Sequence, residues 1–296
     1  MAAPKLRGMT PWIRSKLFLP GSRPELFAKG LAGDADALSF DLEDAVPEDA
    51  KAAARAHVAE CVRSAAARAA GKRVIVRVNA LGTPHFVDDI KALAVAGVDL
   101  INLPKCESPD EVRAAAAAIA HVETPDAAET PIGLLVNIES AKGLRLAAQI
   151  AAAHPRVRGL QLGLGDLFEP LGVARRDALN VHAAMFALRL AAGEAGVFCL
   201  DGAFSDLADE EGYRAEARMA QSLGFVGKTC IHPKQVPLAN AAFAAKADDI
   251  ELARRIVAAA HEAAAQGRGA FVVDGRMIDP PFLRRAEAIL AATRTP

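Results

Sequence analysis

The chain reads as a (β/α)8 barrel, and three observations predict that fold. Short apolar runs alternate with longer alanine-rich amphipathic stretches over most of the 296 residues. Repeated strand–helix alternation means parallel strands joined by crossover helices. About eight such units are present, the number that a barrel of roughly 250 residues needs. Finally, almost every apolar run ends in polar or special residues: PGSR, DLED, RVN, PK, NIES, GD, DG and IHP. A barrel gathers all such ends on one face, where active sites are built from the βα loops. Proline, glycine and aspartate also stop strands and start turns, which is the plainer reading of the same ends.

The strand candidates are KLFLPG (16–21), ALSFDLED (37–44), RVIVRVN (73–79) and LINLPK (100–105), then IGLLVNIES (132–140), GLQLGLGDL (159–167), VFCLDG (197–202) and GFVGKTCIHP (224–233). Helical stretches lie between them at 48–70, 108–121, 141–153, 176–195 and 206–222, where abundant alanine favours helix. A doubly wound sheet is the alternative, but no strand is followed by GxGxxG with an acidic residue about 20 positions on. After the eighth strand come a long helical stretch and then AFVVDGRMIDPPFLRRAEAILAATR, a turn-rich segment followed by a short helix. The expected organisation is a barrel over residues 1–240 and a C-terminal helical extension over 241–296. Such an extension caps a site as a lid or docks on a neighbouring subunit.

Lys plus Arg number 35 against 36 Asp plus Glu. That balance argues against a nucleic-acid partner, which needs a basic face. The four cysteines, Cys61, Cys106, Cys199 and Cys230, form no CxxC pair and read as thiols of a reduced compartment. Basic residues near the N-terminus are followed by no apolar segment, so no signal peptide is expected. No run reaches the roughly 18 apolar residues of a membrane span. A cytoplasmic protein is expected. The seven histidines show no HxxxH pair, which disfavours a zinc enzyme; His232 is expected to hydrogen-bond within the barrel mouth. No GxSxG elbow or Cys–His signature points to a nucleophile, and Trp12 and Tyr213 are too isolated for an aromatic platform.

The chemistry-bearing pair is Glu139, at the end of IGLLVNIES, and Asp166, at the end of GLQLGLGDL. Carboxylates just after consecutive buried strands can hold one hard divalent cation, leaving sites for water and an oxygen-rich substrate. The alternative is two strand-end charges facing water. Arg77 ends VIVRVN and is either an oxyacid-binding fork or one half of a salt bridge with Glu43 or Asp44. Gly21 and Ser22 precede a helix begun at Pro24, with Arg23 and Lys29 adding positive charge. A helix start of this kind suits an anion, or is an ordinary capped helix.

In order, RSKLFLPGSRPELFAKG, SFDLEDAVPEDAKAAAR, VIVRVN, LPK, NIESAKGL, GLGDL, GFVGKTCIHPKQV and DGRMIDPP run from residue 14 to about 281. Together they make the chain similar to the citrate lyase beta-subunit-like family of acyl-CoA lyases, relatives of malyl-CoA and citramalyl-CoA lyases. The resemblance implies a Mg²⁺-binding barrel that assembles as a homotrimer or a multiple of it. It implies reversible cleavage of a 3-hydroxyacyl-CoA (malyl, citramalyl or citryl) to acetyl-CoA or propionyl-CoA and a 2-oxo acid.

Residue by residue, the resemblance implies Glu139 and Asp166 as metal ligands, with Glu139 also meeting substrate. Arg77 matches the substrate-binding arginine. Glu43 and Asp44 would orient waters and Arg77 at the catalytic centre. Arg23 and Lys29 would meet the phosphates of coenzyme A, with Lys16 and Lys105 weaker candidates from neighbouring strand ends. Asp279 matches an aspartate placed over the site from an adjacent subunit, where it could exchange a proton with the acetyl-CoA methyl carbon. Alternatives are a malyl-CoA thioesterase, an aldolase on free oxo acids, and the beta subunit of a multi-subunit citrate lyase acting on a carrier-protein thioester.

Overall fold

The computed structural model describes residues 13–95, 97–123, 131–265, 267 and 269–293; the amino-terminal segment, with Trp12, lies outside them. Two compact units divide the described residues, one ending at Phe243 and the other beginning at Ala244.

The first unit is a closed barrel of eight parallel strands in sequential order: β1 (Ser15–Pro20), β2 (Ala37–Asp41), β3 (Arg73–Arg77), β4 (Leu100–Leu103), β5 (Gly133–Ile138), β6 (Val157–Leu162), β7 (Phe198–Asp201) and β8 (Gly227–Cys230). This is the predicted fold. β1 pairs with both β2 and β8, which closes the sheet. Strands buried on both faces read as near-continuous apolar runs rather than as alternation, which is why the runs stand out so clearly in the sequence. Between the strands lie α1 (Phe27–Ala32), α2 (Lys51–Arg63), α3 (Ala65–Ala69), α4 (Phe86–Leu93), α5 (Pro109–Val122), α6 (Ala141–Arg145), α7 (Ala147–Ala152), α8 (Leu164–Phe168), α9 (Ala178–Ala195) and α10 (Glu210–Ser222), with α11 (Gln235–Ala242) after β8. Two departures bear on the site. α4 fills a connection for which no helix was predicted. GLGDL does not continue β6 but turns at Gly163 into α8, so Asp166 lies in a helix rather than on a strand end.

Local signals set the helix ends. Ser108 and Ser140 accept from the backbone N–H of Glu111 and Gly143 at the starts of α5 and α6. Asp177 caps α9, and Gly196 closes that helix with φ at 69°, a left-handed conformation that glycine adopts without steric cost.

The barrel interior is layered. Ile13, Ala37, Ile75, Leu100, Leu135 and Leu200 form an apolar plug at the amino-terminal end. The next layer toward the carboxyl ends is polar: Lys16, Asn102, Asn137 and Gln161 are all buried and joined by hydrogen bonds. Branched aliphatic side chains ordinarily fill such layers, so a hydrogen-bonded layer here is a departure with a function to explain. Outside the sheet, the strands' other faces pack against the helices in one large apolar core.

The second unit comprises α12 (Ala247–Ala265), a hairpin of β9 (Phe271–Val273) and β10 (Arg276–Ile278), and α13 (Pro280–Thr293). Its core is Ala253, Ile256, Val273, Ile278 and Ala286. The segment expected to be merely turn-rich thus holds two short strands. Asp274 and Gly275, with φ of 49° and 76°, form the tight two-residue connection that Asp-Gly favours. Among the described residues no helix is long and apolar enough to cross a membrane, and all four cysteines are unpaired.

Candidate active site

The carboxyl ends of β2 and β3 bring Asp41 and Arg77 side by side, because these two residues are register partners. Arg77 Nε and Nη2 each donate to one Asp41 carboxylate oxygen at 2.7 Å, a bidentate pair that fixes the guanidinium plane. Asp41 is itself held by the turn that follows, accepting from the backbone N–H of Glu43 and Ala45 at 3.0 and 3.2 Å. Arg77 Nη1 lies 2.9 Å from Glu43 Oε2 and 3.8 Å from Asp44 Oδ2. The ring of Phe18 lies against the guanidinium, 4.8 Å from centroid to carbon. Both salt bridges weighed from the sequence are therefore present, but Asp41 is the stronger partner.

Lys105, two residues beyond β4, completes this cluster. Its Nζ lies 2.6 Å from Glu43 Oε1 and 2.9 Å from Asp44 Oδ1. Three carboxylates thus face two cations in a partly desolvated setting. Burial pushes the Glu43 carboxyl up to about 7, against the pull of Arg77 and Lys105. Asp44 also feels burial, but Lys105, Glu43 and Arg77 together hold it below the usual carboxylate range. Arg77 and Lys105 lose solvation too, yet their carboxylate partners raise both.

Glu139 follows β5 and is buried. Its Oε1 accepts the Lys105 backbone N–H at 2.6 Å, and its Oε2 lies 3.4 Å from Asn137 Nδ2. Gly163, where β6 gives way to α8, leaves room for this side chain: a Cβ there would stand 2.5 Å from both the Cβ and the Oε2 of Glu139. Asp166 is exposed, in the first turn of α8. Burial raises the Glu139 carboxyl, and the neighbouring Asp166 charge raises it further. Among the described residues no lysine, arginine or histidine forms an ion pair with Glu139 or Asp166. Two like charges brought together, one of them buried and neither in such an ion pair, fit a hard divalent cation. Among the described residues no group of three or more His, Cys, Asp or Glu side chains could hold a metal. The two carboxylates would therefore leave most coordination positions to water and substrate.

The remaining predicted residues lie in different surroundings. Lys16 is a correction: its side chain is wholly buried inside the barrel and spent on Asn102 and Gln161, so it cannot meet a phosphate at the surface. A strand buried on both faces does not reveal from sequence which way a lysine points. Arg23 is exposed and bonded to Glu25, and Lys29 is exposed on the six-residue α1. The helix start at Pro24 is one 3₁₀ turn leading into α1, with no side-chain cap. His232 accepts the Lys234 backbone N–H at the mouth of the β8 connection. Asp279 ends the hairpin of the second unit, and its Oδ1 is buried without a hydrogen-bond partner among the described residues. Sequence reasoning missed Asp41 as the anchor of Arg77 and the polar layer beneath Glu139.

A parallel barrel whose mouth carries an arginine–carboxylate cluster beside a second carboxylate pair, one member buried and one exposed, defines a class: barrel enzymes that handle oxyacids with a divalent cation. The chain belongs to the HpcH/HpaI aldolase/citrate lyase family, whose model matches residues 14–233. It is 37% identical to the L-malyl-CoA/beta-methylmalyl-CoA lyase of Cereibacter sphaeroides over 94% of this chain and 93% of that one. It is 39% identical to the (3S)-malyl-CoA thioesterase of the same organism, with 94% of each chain covered. Among solved structures it resembles CitE of Mycobacterium tuberculosis in complex with magnesium, acetoacetate and coenzyme A, with a TM-score of 0.73, 33% identity, and 98% of this chain and 100% of that chain covered.

Proposed function

We propose that this chain is a Mg²⁺-dependent carbon–carbon lyase that cleaves or forms a 3-hydroxyacyl-CoA of the malyl-CoA type, with acetyl-CoA or propionyl-CoA and a 2-oxo acid on the other side. The observation that carries the reading is Glu139, buried at the barrel mouth beside Asp166, neither carboxylate having an ion-pair partner among the described residues. In this reading Glu139 and Asp166 hold the metal. Mg²⁺ supplies a Lewis acid that lowers the pKa of the substrate hydroxyl and orients the bond that breaks. Arg77, its plane fixed by Asp41, presents positive charge to the oxo-acid carboxylate and steadies the charge that develops there. Glu43 and Asp44 hold Arg77 and Lys105 in place and order water at the rim. Arg23 and Lys29 are the candidates for the coenzyme A phosphates. Asp279, with an unengaged carboxylate oxygen, is the candidate proton carrier for the thioester methyl carbon, reaching the site from a neighbouring subunit of a trimer or a multiple of it. A cytoplasmic location belongs to the same reading.

A second reading, hydrolysis of the thioester at the same site, has the thioesterase relative in its favour. The two differ in product: the lyase releases a 2-oxo acid and an acyl-CoA, the thioesterase a free hydroxy acid and coenzyme A. Purified protein is given malyl-CoA, methylmalyl-CoA, citramalyl-CoA and citryl-CoA with and without Mg²⁺, and both product pairs are assayed. Lyase products that depend on Mg²⁺ are expected. Glu139→Ala and Asp166→Ala should each lose turnover and calorimetric Mg²⁺ binding while keeping native circular dichroism. Hydrolysis alone would select the second reading, and undiminished metal binding in either variant would remove the proposed site.

A further inference from the structure

Lys16 crosses the barrel interior from β1. Its Nζ donates to Gln161 Oε1 on β6 at 2.6 Å and to Asn102 Oδ1 on β4 at 3.0 Å. Asn102 Nδ2 donates onward to Asn137 Oδ1 on β5 at 2.6 Å, and to the Leu135 carbonyl at 3.0 Å. Asn137 Nδ2 then faces Glu139 Oε2 at 3.4 Å, the longest step of the chain. Every step runs in the same sense, from donor to acceptor, and ends on the buried carboxylate.

The lysine and the Leu135 carbonyl set that sense from the two ends of the Asn102 amide. Two N–H donors serve the two amide oxygens, so the amine as well as the ammonium can make both bonds. With its oxygen turned to Lys16, Asn102 has only its NH₂ left for Asn137, which in turn has only its NH₂ left for Glu139. Without that donor, the Leu135 carbonyl alone would hold Asn102 against a flip that, passed on through Asn137, presents oxygen to the carboxylate. Burying a lysine disfavours its charged form, and burial with the nearby Arg77 lowers the Lys16 pKa well below its ordinary value.

We propose that Lys16 is a positioning residue for Glu139: through Asn102 and Asn137 it holds one carboxylate oxygen, while the Lys105 backbone N–H holds the other. The inference rests on the reading that Glu139 and Asp166 bind Mg²⁺. Hydrogen bonds behind a metal ligand typically contribute 10- to 100-fold in metal affinity.

The experiment is a double-mutant cycle on Mg²⁺ affinity, read by calorimetry on the full-length protein, with circular dichroism and urea unfolding alongside. Lys16→Met and Asn137→Leu should each weaken Mg²⁺ binding about 10- to 100-fold. The double variant should be no weaker than the weaker single, because both cut one relay. A lysine that only supports the fold would lower the urea midpoint and leave Mg²⁺ affinity within about twofold, which would overturn the proposal, as would effects that multiply. Asn102→Leu carries the same expectation if Lys16→Met does not fold. Asp166→Ala is measured in parallel. If it leaves Mg²⁺ affinity intact, the metal reading itself fails and takes the relay's role with it. If it loses binding while Lys16→Met and Asn102→Leu do not, only the relay fails.

Discussion

The backbone N–H of Lys105 donates to Glu139 Oε1 at 2.6 Å from a left-handed conformation, with φ at 51°. Such a backbone costs a side-chain-bearing residue about 1 kcal/mol, and strain of this kind persists where the surroundings over-determine it. Here the same residue aims its N–H at Glu139 and its ammonium at Glu43 and Asp44. Lys105→Gly should therefore be more stable than Lys105→Ala by about 1 kcal/mol in urea unfolding. Both variants should lose turnover equally, because both remove the ammonium. Equal stabilities would mean that the backbone carries no strain.

The Glu43 carboxyl supplies a pH dependence whose sign is fixed. Its folded pKa, about 7, lies above the ordinary value of 4.5, so the folded state holds a proton that the unfolded chain has already released. The associated stability is fully present below about pH 4.5 and is lost as pH rises through about 7. Glu43→Gln removes this titration. Its stability relative to the parent should rise between pH 5 and pH 8 in paired urea melts, and a flat difference would show a carboxylate charged throughout.

A second ionic cluster joins β7, β8 and α10. Lys228 on β8 lies 2.5 Å from Asp201 and 2.7 Å from Glu216, all three buried, and Glu216 is also bonded by Arg175 at 2.7 and 2.9 Å. Breaking a buried pair by removing one partner costs about 3–5 kcal/mol. Lys228→Met should show a loss of that size by urea unfolding. Burial already pushes Asp201 up to about 6, and losing Lys228 raises it further. The raised group takes up a proton on folding, so the deficit should be smaller at pH 5 than at pH 8. A pH-independent deficit would place the cost in packing rather than in the stranded carboxylate.

Asp279 tests whether the site is shared between subunits. Asp279→Ala should lose most turnover and keep Mg²⁺ binding, since this acid is not among the proposed ligands. Mixing inactive Glu139→Ala and Asp279→Ala chains under conditions of subunit exchange should recover part of the activity, because some pairings join an intact metal site to an intact Asp279. Demonstrated exchange without recovery would exclude a carboxyl supplied in trans.

Much of this site is legible in the chain. Arg77 and Glu139 stand where apolar runs end, and a buried strand delivers such residues to the mouth whatever the rest of the barrel does. Asp166 is legible as an acid near the mouth but not as a helical residue, because Gly163 lets the backbone turn one residue after β6. The hairpin is not read from the chain, which shows only a turn-rich stretch there: Asp274-Gly275 is a two-residue turn signal, but the three-residue runs FVV and RMI beside it are too short to read as strands.

Chain order by itself determined the barrel, because the alternation of apolar runs and alanine-rich helices depends on local periods of the chain. It also determined which strand ends carry charge. Only the tertiary structure decided which charges meet. Asp41 anchors Arg77 because β2 and β3 lie in register. Lys16 meets Asn102 and Gln161, 86 and 145 residues away, because closing the barrel turns one face of each strand inward. A strand covered on both faces has no polar–apolar alternation to say which side of it faces inward. That choice is made when the eighth strand pairs with the first.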